Sequence, residues 1–412
     1  MAKWANKASP RAPSALRIGV ATIDLTPPLG IGLSGYRPRN ADGVGHRLRA
    51  EALVCRGAGG AWALLTSDVI GYGRDYVKII RQKISRLTGL KPEAIMISGT
   101  HTHSGPAVIR FGDEEVSPLD AAYNLKLQGL LADVAVAAFK AARPGRFEVA
   151  WTEAPMLGSN RRVRRNNGEW TNEWEDDFGK HTGYFDPTIM LVGVRRPDQE
   201  GLDALLVNYG VHPVVLGPSS LKISADYVGY LKDALEAFGL ARATLFALAG
   251  GGNINPRTCI KVGAEFPRKM GEALAEVVAH AAVKLSPVAG TRVASHREPW
   301  NVTRTREPAK PASTRGRKLG DSIPTEIQVL RAGDLVFLST PGELFSEFSR
   351  MFREASPFPH TAVVSLANDY IGYLPTDAAQ AEGAYETNMA AATGLQGPIM
   401  EHARKAFAAV AD

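Results

Sequence analysis

The sequence predicts an α/β protein whose mixed β-sheets are flanked by helices, and two observations carry that prediction. Short β-rich runs alternate with longer stretches whose apolar residues recur every three to four positions, which is unlike the pattern of a bundle or a sandwich. The tetrads Gly57-Ala58-Gly59-Gly60 and Arg331-Ala332-Gly333-Asp334 sit directly between β-like runs as hairpin turns, so some strands must pair antiparallel.

In chain order, runs rich in aliphatic residues read as strands at 16–21, 51–56, 61–67, 94–98, 188–194, 204–208, 244–247, 326–331, 335–339 and 361–366. Helical periodicity marks 74–87, 119–142, 225–238, 263–284, 343–354 and 398–411, with Gly89 and Pro144 closing the first two. Two segments resist either period: 159–183, rich in Arg, Asn, Trp and Glu, and 297–322, rich in Arg, Pro and Lys. Loops of that length in a compact domain are often functional covers. No internal repeat is found, so the expected partition is a disordered segment 1–15 followed by one catalytic domain over 16–412.

The 412 residues are 45% hydrophobic and 22% charged, the make-up of a globular protein with a sizeable core. No apolar run is long enough to cross a bilayer, and the first ten residues lack the apolar region of a secretory signal, so a cytoplasmic location is expected. Cys55 and Cys259 are too few for a disulfide framework or a thiolate zinc cluster, so any metal must be held by nitrogen and oxygen. The net charge of +6 is concentrated in 161–165 and 304–318 without any nucleic-acid-binding motif. A small-molecule substrate is expected, with no nucleic-acid partner and an oligomeric state left open.

Chemistry-bearing residues cluster at strand ends. His101 and His103 stand in Gly99-Thr-His-Thr-His-Ser-Gly-Pro106 after the run 94–98; if that strand continues, alternation sends both imidazoles to one side. His212 follows another β-like run in Val211-His212-Pro213. Glu343, in Pro341-Gly342-Glu343, offers a carboxylate, although from context alone helix N-terminal capping is the better account. Tyr373, Tyr385 and Arg161 carry no special signal by themselves. Gly250-Gly-Gly-Asn-Ile-Asn-Pro256 lacks both the P-loop and the dinucleotide spacing, and reads as backbone passing close to a cavity.

Taken in order, these pieces resemble the neutral ceramidase family of zinc-dependent amide hydrolases. The matching stations are Ile23-Asp-Leu-Thr-Pro27, Gly35-Tyr36, Gly99 to Pro106, Ser159-Asn-Arg161, Val211-His-Pro213, Ser224-Ala-Asp-Tyr-Val-Gly229, Gly252-Asn-Ile-Asn-Pro256, Pro341-Gly-Glu343, and Tyr373 with Tyr385. The resemblance implies one zinc per chain held by His101, His212, Glu343 and Tyr373, which replaces the capping account of Glu343. It also implies that His103, Arg161 and Tyr385 surround the scissile carbonyl. Where the family carries a serine long proposed as nucleophile, this chain has Asn255, whose amide cannot attack, so Asn255 is expected to position substrate or water. The chain as given stops soon after these motifs, without the family's immunoglobulin-like domain, which makes ceramide a doubtful substrate. The reading is a zinc hydrolase cleaving a linear amide of a small polar or anionic compound, with Arg162, Arg164 and Arg165 favouring an anion. An esterase or lactonase, and a non-catalytic binding protein on the same scaffold, are the alternatives.

Overall fold

A computed structural model describes residues 16–109, 116–307 and 317–411, so the expected disordered segment 1–15 lies outside the described residues. Three sheets form the body, and all are mixed. In the first, Arg17–Asp24, Arg49–Gly57 and Gly60–Ser67 form an antiparallel meander, and Ile95–Gly99 adds in parallel to Gly60–Ser67. The second repeats the plan with Arg146–Glu153, Thr188–Arg195 and Ala204–Tyr209 antiparallel and Thr244–Leu248 parallel to the last. The third does so again with Val293–Thr303, Ser322–Ala332 and Leu335–Ser339, and with His360–Val364 parallel at the edge.

Each parallel pair is joined through a helix, because two parallel strands need a long crossover. The crossover helices are Arg74–Thr88, Asp226–Ala237 and Ser346–Ala355. Both expected hairpins are present. The threefold architecture has no counterpart as a sequence repeat, since each copy is written with different residues.

The three sheets turn one face each onto a shared apolar core, which explains why their inward residues are so uniformly aliphatic. Leu53 and Leu64 from the first sheet, Leu206 and Leu245 from the second, and Phe337 and Ala362 from the third belong to it. Trp62 sits at its centre, stacked on Phe147 at 6.2 Å and edge-on to Phe337 at 5.7 Å, with its indole N–H donating to the Arg331 carbonyl at 2.8 Å. Each outer face has its own helical cover: Pro118–Lys140 on the first sheet, Glu265–Ala282 on the second, and Gln396–Ala411 on the third. Among the described residues no helix is long and apolar enough to cross a membrane.

Several expectations need correction. Arg146–Glu153 and Val293–Thr303 are strands that periodicity did not single out. The second contains Pro299 and lies at a sheet edge, the one place where a residue without an N–H costs no ladder bond. Residues 297–303 are therefore strand and not loop. Within 159–183, the short strands Arg162–Arg164 and Trp170–Asn172 form a hairpin. Glu343 does not begin a helix; it belongs to a two-residue strand, Glu343–Leu344, running parallel to Tyr373–Leu374, and the helix starts later at Ser346.

Candidate metal centre

Five segments converge at one end of the sheets, each following the carboxyl end of a strand from one of the three parallel pairs. His101 and His103 follow Ile95–Gly99, His212 follows Ala204–Tyr209, and Asn255 follows Thr244–Leu248. Glu343 follows Leu335–Ser339, and Tyr370 and Tyr373 follow His360–Val364. Parallel strands aim their carboxyl ends the same way, and the crevice outside those ends is where open α/β sheets place ligands.

The histidine pair reaches this crevice by a different route from simple alternation. The strand stops at Gly99 and His101 takes a left-handed backbone, φ 76°, an uncommon state for a residue with a Cβ. Its Nδ1 donates to the Ile70 carbonyl at 2.7 Å, and its backbone N–H donates to Val69. His212 is held in the same manner, with Nδ1 donating to the Gly251 carbonyl at 2.6 Å. A carbonyl can only accept, so both rings carry their proton on Nδ1. Burial pushes the His212 imidazole down to about 4, which keeps it neutral.

With Nδ1 so committed, each ring turns its Nε2 toward the Glu343 carboxylate. His212 Nε2 lies 3.0 Å from Glu343 Oε2, and His101 Nε2 lies 3.4 Å from the same oxygen. His103 Nε2 lies 3.4 Å from His101 Nε2, while the buried His103 Nδ1 has no hydrogen-bond partner. Burial, followed by the neighbouring His101 and His212 rings, holds the His103 imidazole well below its usual range. Burial opposes ionisation of Glu343, but the two imidazoles hold its carboxyl well below the ordinary range. The Glu343 carboxylate and the Nε2 atoms turned toward it make a nitrogen and oxygen donor set that a metal ion would suit. Donors at about 2.0–2.2 Å from one ion stand roughly 3.3–3.6 Å apart in a tetrahedron. The imidazoles of His101, His103 and His212, with ligating atoms all within 4.8 Å, could hold such an ion. Anchoring through the second nitrogen to a backbone carbonyl, as in His101 and His212, is the usual way a metal-binding histidine is oriented.

Around this centre the remaining expected residues take up positions. Arg161 is buried: Nε donates to Glu386 at 2.7 Å, one terminal nitrogen to Asn255 Oδ1 at 3.1 Å, and the other to the Gly252 carbonyl at 2.7 Å and the Tyr373 hydroxyl at 3.1 Å. Tyr385 packs edge-on to Tyr373 with centroids 5.8 Å apart and is 41% exposed. Asn255 spends both ends of its amide on protein, Oδ1 on Arg161 and Nδ2 on the Trp174 carbonyl at 2.9 Å. Its side chain therefore ties Arg161 to the 159–183 segment while lining the second lobe. Arg162 was expected to favour an anion, yet it is buried against Glu386 at 3.1 Å and Glu382 at 2.9 Å, so its charge is already met.

Three contributors escaped the sequence reading. Tyr370 donates its hydroxyl to Glu343 Oε1 at 2.6 Å, orienting the carboxylate; its position three residues before Tyr373 was the only available signal. Glu386, fully buried, bridges Arg161 and Arg162. Arg39 ties three loops together, donating to the carbonyls of Ser34, Ser220 and His103. Gly35 closes the wall beside His103, with φ 87° and a Cβ position only 2.3 Å from the imidazole ring. Gly35→Ala is accordingly expected to lower stability by about 1–3 kcal/mol through overpacking. Denaturant titration checks this, and unchanged stability would mean that the His103 ring is free to move aside.

The crevice has two lobes sharing Gly35, Tyr36, His103, Pro218, Tyr373 and Tyr385. The first, about 310 Å³, has His101 and Glu343 in its wall; the second, about 290 Å³, is bounded by Arg161, Trp174, Val214, Asn255 and Ile260.

Comparison with known proteins places this arrangement in context. Residues 16–245 match the family model of neutral/alkaline non-lysosomal ceramidase, N-terminal, a span holding His101, His103, Arg161 and His212. Among solved structures, neutral ceramidase from Pseudomonas aeruginosa superimposes with a TM-score of 0.74 at 19% identity, over 96% of this chain and 75% of that one. A structure described as ceramidase complexed with C2 gives a TM-score of 0.74 at 19% identity, over 97% of this chain and 75% of its own. With more than half of its residues matched by the family model, the chain belongs to the neutral/alkaline non-lysosomal ceramidase family.

Proposed function

We propose that this chain is a zinc-dependent hydrolase that cleaves a linear amide C–N bond with water, and that its substrate is a small polar or anionic N-acyl compound and not ceramide. The observation that carries the reading is the meeting of the His101 and His212 Nε2 lone pairs with the Glu343 carboxylate at the wall of the 310 Å³ lobe. Among the described residues, neither lobe is lined by a Ser, Thr, Cys or Lys that could serve as covalent nucleophile. Imidazole with carboxylate and no thiolate suits zinc.

His101, His212 and Glu343 would hold the ion, with Tyr373 as fourth ligand. Bound zinc polarises a carbonyl and lowers the pKa of water from about 15.7 to about 7. His103, kept neutral by burial, takes a proton from the attacking water and returns it to the leaving nitrogen, so amide and water become carboxylic acid and amine. Tyr385, which reaches both lobes, donates its hydroxyl to the carbonyl oxygen as negative charge builds there. Arg161 lies beside that donor, its guanidinium 5.9 Å from the Tyr385 ring centroid, and donates to the Tyr373 hydroxyl.

The two lobes, about 310 and 290 Å³, are of a size that suits a compact N-acyl compound. With Arg162 neutralised, an anionic substituent would be met by Arg37, an exposed arginine at the first lobe.

Tyr385→Phe is expected to lower kcat by about 10²–10³-fold with KM little changed, the usual cost of one such donor. The decisive assay screens the zinc-loaded chain against N-acyl amino acids, lactones and N-acylsphingosine. Small amides should be hydrolysed fastest. Preferred turnover of N-acylsphingosine, or hydrolysis undiminished in His101→Ala, would overturn the reading.

A further inference from the structure

We propose that Trp174 is a specificity-determining residue that closes the second lobe and limits the length of the substrate chain entering it. The inference deepens the hydrolase reading above and rests on it for its catalytic part.

The indole is held in place as part of the wall. The Trp174 backbone carbonyl accepts from Asn255 Nδ2 at 2.9 Å and from Cys259 Sγ at 2.8 Å, both from the segment that follows Thr244–Leu248. The Arg161 guanidinium lies 5.1 Å from the ring centroid, and the Tyr385 ring meets it edge-on at 5.3 Å. The backbone on either side is pinned as well, Glu173 N–H to the Arg161 carbonyl at 2.8 Å and Asp176 N–H to the Arg257 carbonyl at 3.0 Å. Lys261 adds ion pairs to Glu175 and Asp177.

So fixed, Trp174 lines the lobe on one side and remains 38% exposed to solvent. Tyr36, Val214, Pro218 and Ile260 also line the lobe and offer an extending chain apolar contact. Removing the indole opens the lobe outward without touching the histidines or Glu343. The usual family serine position thereby acquires a purpose here: Asn255 uses its amide to clamp the residue that closes the cavity.

The test measures binding and turnover separately on the zinc-loaded full chain. Calorimetric Kd values for butanoate, octanoate and dodecanoate are compared among wild type, Trp174→Ala, Trp174→Leu, Trp174→Phe and Phe178→Ala. Phe178 lies on the same segment, is 86% exposed and lines neither lobe. One methylene against a closed apolar wall is worth on the order of 10–200-fold, so the dodecanoate-to-butanoate affinity ratio should rise at least ~10-fold in the Ala and Leu variants and stay within about twofold in the other two. The same ratio is read from kcat/KM on N-butanoyl and N-dodecanoyl glycine. An unmoved ratio in a folded Ala or Leu variant overturns the proposal while leaving the hydrolase reading standing. The expected shift in binding without any hydrolysis by wild type upholds the length limit and sinks the hydrolase reading.

Discussion

His212→Ala is expected to abolish stoichiometric zinc retention and to lower amide hydrolysis by at least ~10³-fold, the several kcal/mol of charge stabilisation that a lost metal withdraws. The ring is one of two whose Nε2 faces Glu343 Oε2, at 3.0 Å, and its Nδ1 is already committed to Gly251. Elemental analysis of the purified variant is the primary readout, because it separates metal loss from a direct effect on turnover. Removal of metal from the wild type by a chelator should produce the same inactivity, and added zinc should restore wild type but not the variant. A variant that keeps one zinc per chain, or a wild type that never contains it, would end the metal proposal.

Arg161→Met should cost about 3–5 kcal/mol of stability, as breaking a buried ion pair by removing one partner generally does. The substitution strands Glu386 Oε1 with Asn172 alone, and it leaves the Gly252 carbonyl and Asn255 Oδ1 without their donor. Arg161→Lys keeps the charge but cannot reach four acceptors in a planar fork, so it should recover only part of the loss. Urea denaturation of the single variants and of Arg161→Met with Glu386→Gln forms a double-mutant cycle, in which the second change should relieve part of the first. A loss under about 1 kcal/mol for Arg161→Met would contradict its place as the hub of a buried network. Its catalytic effect should exceed what stability explains, since Tyr373 and the Trp174 ring both lean on the same guanidinium.

The hairpins, the crossover helices and most strands were legible because each is written locally, in turn residues or in the period of apolar side chains. Val293–Thr303 was not, since Pro299 and its polar neighbours read as loop until a sheet edge accommodates them. Glu343 shows the same limit at the site. Its neighbours look like the start of a helix, and only the pairing of Glu343–Leu344 with Tyr373–Leu374, some thirty residues away, makes it a strand residue aimed at two histidines. Arg162 looked like a free cation because its partners, Glu382 and Glu386, lie more than two hundred residues on.

What the sequence by itself determined is the α/β pattern, the nitrogen and oxygen character of any metal site, and the ordered motifs that contain His101, His212 and Glu343. What only the tertiary structure decided is which lone pairs meet, which arginine is neutralised, and that Asn255 holds Trp174 across the second lobe. The physical reason is that residue type specifies what a group can donate or accept, whereas its ionisation and reach depend on partners that only the packing of three sheets brings within 3 to 4 Å.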